Sequence, residues 1–229
     1  MQSVDIIIPV YNEEKTIENI LEILENTDFC GLEKNFIIVD DYSTDSTREI
    51  LKRYEDKYTV IYKEKNGGKG SAVNVGFENA KSDIVIIQDA DLEYNPSDYA
   101  PLLKLIIDGE ADVVYGSRFL GTPFKDFMFL SYVANKFLTL LTNILYGTKL
   151  TDMETCYKAI RKEFVKDMNI KSNKFDLEPE ITAKLVKKGA KIKELPIKYN
   201  ARSYQEGKKI TYKDGLMAIR ALFYYRFFN

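Results

Sequence analysis

Two carboxylates, Asp89 and Asp91, flank Ala90 directly after the apolar run Ile84–Ile87 and Gln88. A strand that ends on two acids one residue apart presents both at one edge of a sheet. There they can share a divalent cation with a diphosphate, because Mg²⁺ takes a few carboxylates plus substrate phosphates rather than a full protein cage. Such an ion neutralises charge on a departing diphosphate. In isolation the same residues also read as a solvated turn, since Asp is common after strands. The segment is not an EF-hand loop, because Tyr94 stands at the sixth position, where that loop needs glycine.

Other polar clusters share this placement. Asp40-Asp41 ends the run Phe36–Val39, where a carboxylate can accept from a base N–H or a ribose hydroxyl. Capping the next helix is an equal use for that pair. Tyr11-Asn12-Glu13 follows the run Val4–Val10, which contains Pro9. Gly67-Gly68-Lys69-Gly70 is a glycine turn before a helical pattern, with Lys69 a candidate phosphate contact. It is neither a P-loop nor G-x-G-x-x-G, since no Ser or Thr directly follows Lys69 and Val73 replaces the third glycine. Arg118 follows a further strand-like run, and its planar fork suits phosphate. Arg202, Lys208 and Lys209 flank Gly207 and read as a basic loop able to close over a diphosphate. A solvated charged loop is the plainer use of the same residues.

Composition removes several chemistries. The chain of 229 residues has no histidine, which excludes Ser-His-Asp and Cys-His catalysis and His-ligated metals. Catalysis must therefore use carboxylates, Lys, Arg, hydroxyls or an oxygen-held metal. Thirty-three basic against 35 acidic side chains give no argument for nucleic acid. Cys30 and Cys156 stand far apart and outside any C-x-x-C pattern, which fits a reducing compartment. No signal peptide is expected at the start. No apolar run reaches the roughly 20 residues of a spanning helix. A cytoplasmic protein is expected, with peripheral contact to the membrane face as an option.

Short apolar runs alternate with helical patterns through the first half. Strands are expected at Val4–Val10, Phe36–Val39, Thr59–Tyr62, Ile84–Ile87 and Asp112–Tyr115. Helices are expected from about Glu13, from Ser43–Ser46, over Ser71–Ala80 and over Ser97–Asp108. Such alternation implies parallel strands with crossover helices, a Rossmann-like open sheet whose ligands sit at the carboxyl ends of the strands. The second half predicts an amphipathic helix over 127–146, a strand near Thr155–Ile160, a helix near Glu178–Lys188, a strand over Lys191–Tyr199 and an aromatic C-terminal helix. In the 127–146 helix, Phe127, Leu130, Ala134, Phe137, Leu141 and Ile144 form the apolar stripe and Ser131, Asn135, Thr139 and Thr142 the other face. A core or subunit interface is the commoner use of such a stripe, and a monotopic membrane surface the other. No linker or repeat divides the chain, so 1–229 is expected to be one domain.

The segments IIIPVYNEE, IIVDDYSTDST, NGGKGSAVNVG, DIVIIQDADLEYNP and VVYGSRF, in this order, resemble the family 2 glycosyltransferases of GT-A fold. The match is nearest to their polyprenyl-phosphate branch, typified by dolichol-phosphate mannose synthases. It is strong over roughly residues 4–120, with later likeness in TDMETCYKAIR, FDLEPEITAKL and ELPIKYNARSYQEGKKI. The resemblance implies an α/β fold with a mostly parallel central sheet flanked by helices. Residues 1–120 would be the nucleotide-sugar half and 121–229 the acceptor half. It implies that Pro9, Tyr11, Glu13 and Asp41 bind the nucleoside, and that Asp89 and Asp91 bind diphosphate-bound Mg²⁺ or Mn²⁺. Lys69 and Ala90 complete the expected donor site, and Arg118, Arg202 and Lys208 would meet phosphates. Mannose synthases commonly carry Gln two residues after the second Asp; Glu93 stands here and would be a third metal acid.

The activity so implied is inverting transfer of a hexose from a GDP- or UDP-sugar to a polyprenyl phosphate. That acceptor is already an anion and needs no protein base; Asp91, Arg118 and Arg202 would carry the catalysis. A hydroxyl acceptor on a glycan or glycolipid would need a base, for which Asp152 and Glu154 are the candidates. A catalytically idle nucleotide-sugar-binding module is a third reading. A nucleotidyltransferase is excluded, because the first strand leads to PVYNEE instead of a glycine-rich loop.

Overall fold

A computed structural model of the chain describes residues 1–123, 129–200 and 212–228. Seven strands form one sheet in the order β3-β2-β1-β4-β6-β5-β7. They are β1 (Ser3–Val10), β2 (Glu33–Asp40), β3 (Thr59–Tyr62), β4 (Ile84–Ile87), β5 (Val113–Ser117), β6 (Lys158–Arg161) and β7 (Ile192–Pro196). The β1–β2, β1–β4, β2–β3 and β5–β7 pairs are parallel. Strand β6 runs antiparallel to both β4 and β5. All strands but β6 therefore end on one edge, and β6 begins there.

The β-rich runs form strands because both faces of the sheet are covered, which favours continuous apolar sequence over alternation. Successive residues of β1 go to opposite sides. Ile6, Ile8 and Val10 join Ile38, Ile86 and Val114 in one core, while Ile7 joins Ile37, Val39, Val85 and Ile87 in the other. The first core is closed by α1 (Ile17–Glu25), α2 (Thr47–Lys52) and α4 (Tyr99–Ile107) through Ile20, Leu24, Leu51, Leu103 and Ile106. The second is closed by α3 (Lys69–Asn79), α6 (Phe129–Tyr146), α8 (Leu177–Lys187) and α9 (Tyr212–Phe227). Two single-turn helices, α5 (Arg118–Gly121) and α7 (Lys162–Val165), follow β5 and β6.

The strands and helices of the first half lie where the sequence predicts them, within a few residues. Helix α6, for whose apolar stripe core, subunit interface and membrane surface are all expected uses, turns most of that stripe away from the core. Leu138, Thr139 and Thr142 are the buried residues, while Leu130 is 81% exposed, Phe137 53% and Ile144 71%. Hydrogen bonds explain this orientation. The Thr139 hydroxyl accepts from the Met153 N–H at 3.1 Å, and the Thr142 hydroxyl donates to the Leu138 carbonyl at 2.9 Å. Two satisfied threonines thus face inward with Leu138, Leu141 packs against the same core, and Leu130, Phe137 and Ile144 face out.

Candidate active site

Three loops leave the common edge through backbone that only glycine adopts freely. Asn12 after β1, Tyr42 after β2 and Leu92 after β4 have φ of 55°, 68° and 63°. A left-handed non-glycine residue costs of order 1–3 kcal/mol and persists where its surroundings over-determine it. Each stands immediately after a predicted site residue: Tyr11, Asp41 and Asp91.

The carboxylate of Asp41 organises the glycine turn. It accepts from the Gly67 N–H at 3.0 Å, from the Gly68 N–H at 2.6 Å and from Lys63 Nζ. Gly68 has φ of +83°, and a Cβ on Gly70 would stand 1.9 Å from the Ser172 carbonyl oxygen, so the turn is pressed onto the 172–173 backbone. Neighbouring Asp40 is buried and holds the Arg48 Nε at 2.6 Å. Tyr11 is half exposed, and Glu13 accepts from the Thr16 hydroxyl at 2.6 Å.

After β4, buried Gln88 receives both the Tyr99 and Tyr157 hydroxyls and donates from Nε2 to the Asp89 carbonyl at 2.8 Å. That network fixes where Asp89 starts. Asp89 lies 2.6 Å from Lys69 Nζ, which also donates to the Cys156 sulfur at 3.0 Å. Burial alone would lower the Lys69 pKa; the Asp89 charge more than offsets it and holds the ammonium well above its usual range. Burial, reinforced by the Asp89 charge, pushes the Cys156 thiol up, so it stays protonated. Asp91 Oδ1 accepts from the Glu93 N–H at 3.1 Å, a closed turn around Leu92. The Glu93 side chain is buried and accepts from the Tyr199 hydroxyl at 2.7 Å. Among the described residues no three Asp, Glu or Cys side chains are grouped closely enough to hold one ion. As placed, Glu93 therefore does not join Asp89 and Asp91 as a third ligand. Two hard carboxylate oxygens at the mouth of a cleft still fit Mg²⁺ or Mn²⁺ when a diphosphate supplies the remaining ligands.

Arg118 is buried, and its fork is occupied. Asp152 accepts from Nε and Nη2 at 2.7 Å each and from the Arg118 backbone N–H at 3.0 Å. Burial would lower the guanidinium pKa, and Asp152 raises it well beyond its usual range. Asp152 is wholly buried and also outside the cleft lining, so it braces Arg118 rather than serving as a base. Glu154 does line the cleft, and its Oε1 has no hydrogen-bond partner. Burial, then the Glu178 charge, pushes its carboxyl up to about 8.

One cleft of about 1050 Å³ collects these groups. Pro9, Tyr11, Glu13, Asp41, Lys69, Asp89, Ala90, Asp91, Glu93, Arg118 and Glu154 all line it. Arg202 and Lys208 fall outside the described residues. Cys156, Glu178, Tyr94 and Tyr199, which no site motif in the sequence marks, also line the cleft. The antiparallel course of β6 brings Cys156 to the edge where its parallel neighbours end. The acids opening α8 were a signal for Glu178, since they follow a turn and begin a helix. The cleft continues between α6 and α9 along Leu130, Ala134, Phe137, Leu138, Leu216 and Ile219. Its two ends differ in kind: acids and a lysine at the sheet edge, and mostly hydrocarbon, interrupted by Ser131, Asn135 and Asp214, between the helices.

The sequence pattern of Glycosyl transferase family 2 matches residues 5–168. A UDP-N-acetylglucosamine–dolichyl-phosphate N-acetylglucosaminyltransferase of Methanococcus voltae is 31% identical over 214 residues, covering 84% of each chain. A dolichol-phosphate mannosyltransferase of Pyrococcus furiosus is 31% identical over 211 residues, 90% of this chain and 58% of that one. This chain thus spans little more than half of the second relative. Among solved structures, glucosyl-3-phosphoglycerate synthase of Mycobacterium tuberculosis with Mn²⁺ and UDP-glucose superposes with a TM-score of 0.72 at 18% identity, over 98% of this chain and 79% of that one. S. aureus TarS with UDP-GlcNAc gives 0.62 at 23% identity, over 96% and 65%.

Proposed function

Since the chain belongs to glycosyl transferase family 2 and is a hexosyltransferase, we propose that it moves a hexose from a UDP- or GDP-sugar to a polyprenyl phosphate. The observation that carries this reading is the single cleft that runs from the acids of β4 into the apolar groove between α6 and α9. A nucleoside diphosphate suits its polar end and an isoprenoid chain its hydrocarbon end. Two of the similar proteins bear names that specify dolichyl phosphate as acceptor.

The donor lies along the sheet edge, its nucleoside against Pro9, Tyr11 and Glu13 and its diphosphate beside Asp89, Asp91 and Lys69. Asp41 contributes by holding the glycine turn that shapes this end. Asp89 and Asp91 would hold Mg²⁺ or Mn²⁺, which would neutralise charge on the leaving diphosphate. The acceptor's phosphate oxygen attacks the anomeric carbon from the opposite side, and the bond from that carbon to the diphosphate breaks with inversion. An anionic phosphate carries no proton to remove, so the step needs alignment and charge stabilisation rather than a base. Arg118, which lines the cleft and is held by Asp152, is a phosphate contact in this reading. Arg202 and Lys208 complete the phosphate contacts in this reading.

Membrane contact is peripheral in this reading. No described helix is long and apolar enough to cross a bilayer. Exposed Phe129, Val133, Leu140 and Ile144 of α6, with Phe223, Phe227 and Phe228 of the C-terminal segment, lie outside the cleft lining and offer hydrocarbon to a surface. Radiolabelled UDP- and GDP-sugars incubated with the protein, membrane lipid extract and Mg²⁺ or Mn²⁺ test the assignment. Label is expected in a mild-acid-labile lipid; label only in acid-stable glycan sinks it.

A further inference from the structure

Glu154 and Glu178 form a second acidic pair in the cleft, apart from Asp89 and Asp91. Glu178 opens α8 and is 6% exposed; Glu154 precedes β6. Both line the cleft, and each has a buried Oε1 with no hydrogen-bond partner among the described residues. Buried acceptors are nearly always satisfied, and leaving one unmade costs about 1–3 kcal/mol. Two such oxygens in one cavity wall therefore call for donors from a ligand.

Charge decides which donors. Lys158 Nζ already pairs with the other oxygen of Glu178 and bonds the Met153 and Thr155 carbonyls. Glu178 is thereby neutralised from behind. Burial, then the Glu178 charge, pushes the Glu154 carboxyl up to about 8, which favours its neutral form near pH 7. The pair thus carries little net charge toward the cavity. A metal ion finds no excess negative charge there, and a phosphate finds only acceptors and one carboxyl proton. Hydroxyl groups, which both donate and accept, match the set.

Strand order says which hydroxyls. Along the edge, Asp41 ends β2, Tyr11 follows β1, Asp89 and Asp91 follow β4, and Glu154 and Cys156 precede β6. Cys156 links the groups, since it bonds Lys69 beside Asp89 and feels the charge of Glu178. A donor with its nucleoside at β1 and β2 and its diphosphate at β4 carries its hexose to β6.

We infer that Glu154 and Glu178 are the hexose-recognising residues, their unpartnered oxygens hydrogen-bonding sugar hydroxyls and so setting sugar preference. This rests on the donor site proposed above and gives Glu154 a binding role in place of a base.

The test is equilibrium binding in Mn²⁺ of UDP, UDP-glucose, UDP-N-acetylglucosamine, GDP and GDP-mannose to wild type, Glu154→Leu and the double variant Lys158→Met/Glu178→Leu. The double variant avoids leaving Lys158 as a buried cation without its partner. Loss of at least tenfold in affinity for the preferred sugar nucleotide, with its bare diphosphate bound within twofold of wild type, is the expected result. Sugar nucleotide and diphosphate affected equally in variants with intact thermal melts overturn the inference, as does no change in either. A wild type that binds neither UDP nor GDP overturns the donor-site reading itself, and the inference with it.

Discussion

At the residue scale, the acids at strand ends were readable because each follows an apolar run and the sheet edge gathers them. Asp89, Asp91 and Asp41 line one cleft for that reason. Their partners were not readable. The Arg118–Asp152 brace joins residues 34 apart, and the Lys69–Cys156 contact joins residues 87 apart. No local pattern encodes either. Asp152 therefore looked like a base until its oxygens were found filled. Glu154 gives a test at this scale. A carboxyl whose pKa rises from roughly 4.3 unfolded to about 8 folded holds its proton more tightly in the native chain between those values. Its contribution to stability consequently falls as pH rises through that window and is least favourable above 8. Glu154→Gln removes the titration. The melting temperature of the variant relative to wild type is expected to climb from pH 5 to pH 8 and level off beyond. A pH-independent difference would contradict the assignment.

At the element scale, β1, β2, β4 and their helices were legible because both faces of the sheet are buried and crossover helices alternate with strands. Two features were not. Strand β6 is antiparallel, and a four-residue run carries no mark of its direction. Helix α6 shows an apolar stripe, but periodicity cannot say which face turns inward once two threonines find hydrogen bonds there. The glycine turn, by contrast, was seen as a turn, and its packing explains it. Gly70→Ala would drive a Cβ into the Ser172 carbonyl, 1.9 Å away. The turn must then leave Ser172 and Asn173 and drag the N–H groups that Asp41 accepts. Overpacking of this kind costs about 1–3 kcal/mol. Thermal melts should show that loss, and titration with UDP or GDP should show weaker binding than in wild type. An unchanged melt with unchanged binding would mean that the clamp does not shape the donor end.

At the scale of the whole molecule, one sheet draws strands from both halves of the chain. Strand β6 from the second half sits between β4 and β5 from the first. The cleft inherits this interleaving: its donor acids come from the first half, and its groove-lining helices α6 and α9 come from the second. In the proposed mechanism the acceptor enters along that groove and attacks through a phosphate that needs no base. Purified protein, the preferred labelled nucleotide sugar and Mg²⁺ or Mn²⁺ can be offered a polyprenyl phosphate or the matching polyprenol without phosphate, in detergent. Under this mechanism, glycosyl transfer to the polyprenyl phosphate is expected, with none above background to the polyprenol. Equal transfer to the alcohol, or none to the phosphate while a glycan hydroxyl is glycosylated, would contradict it.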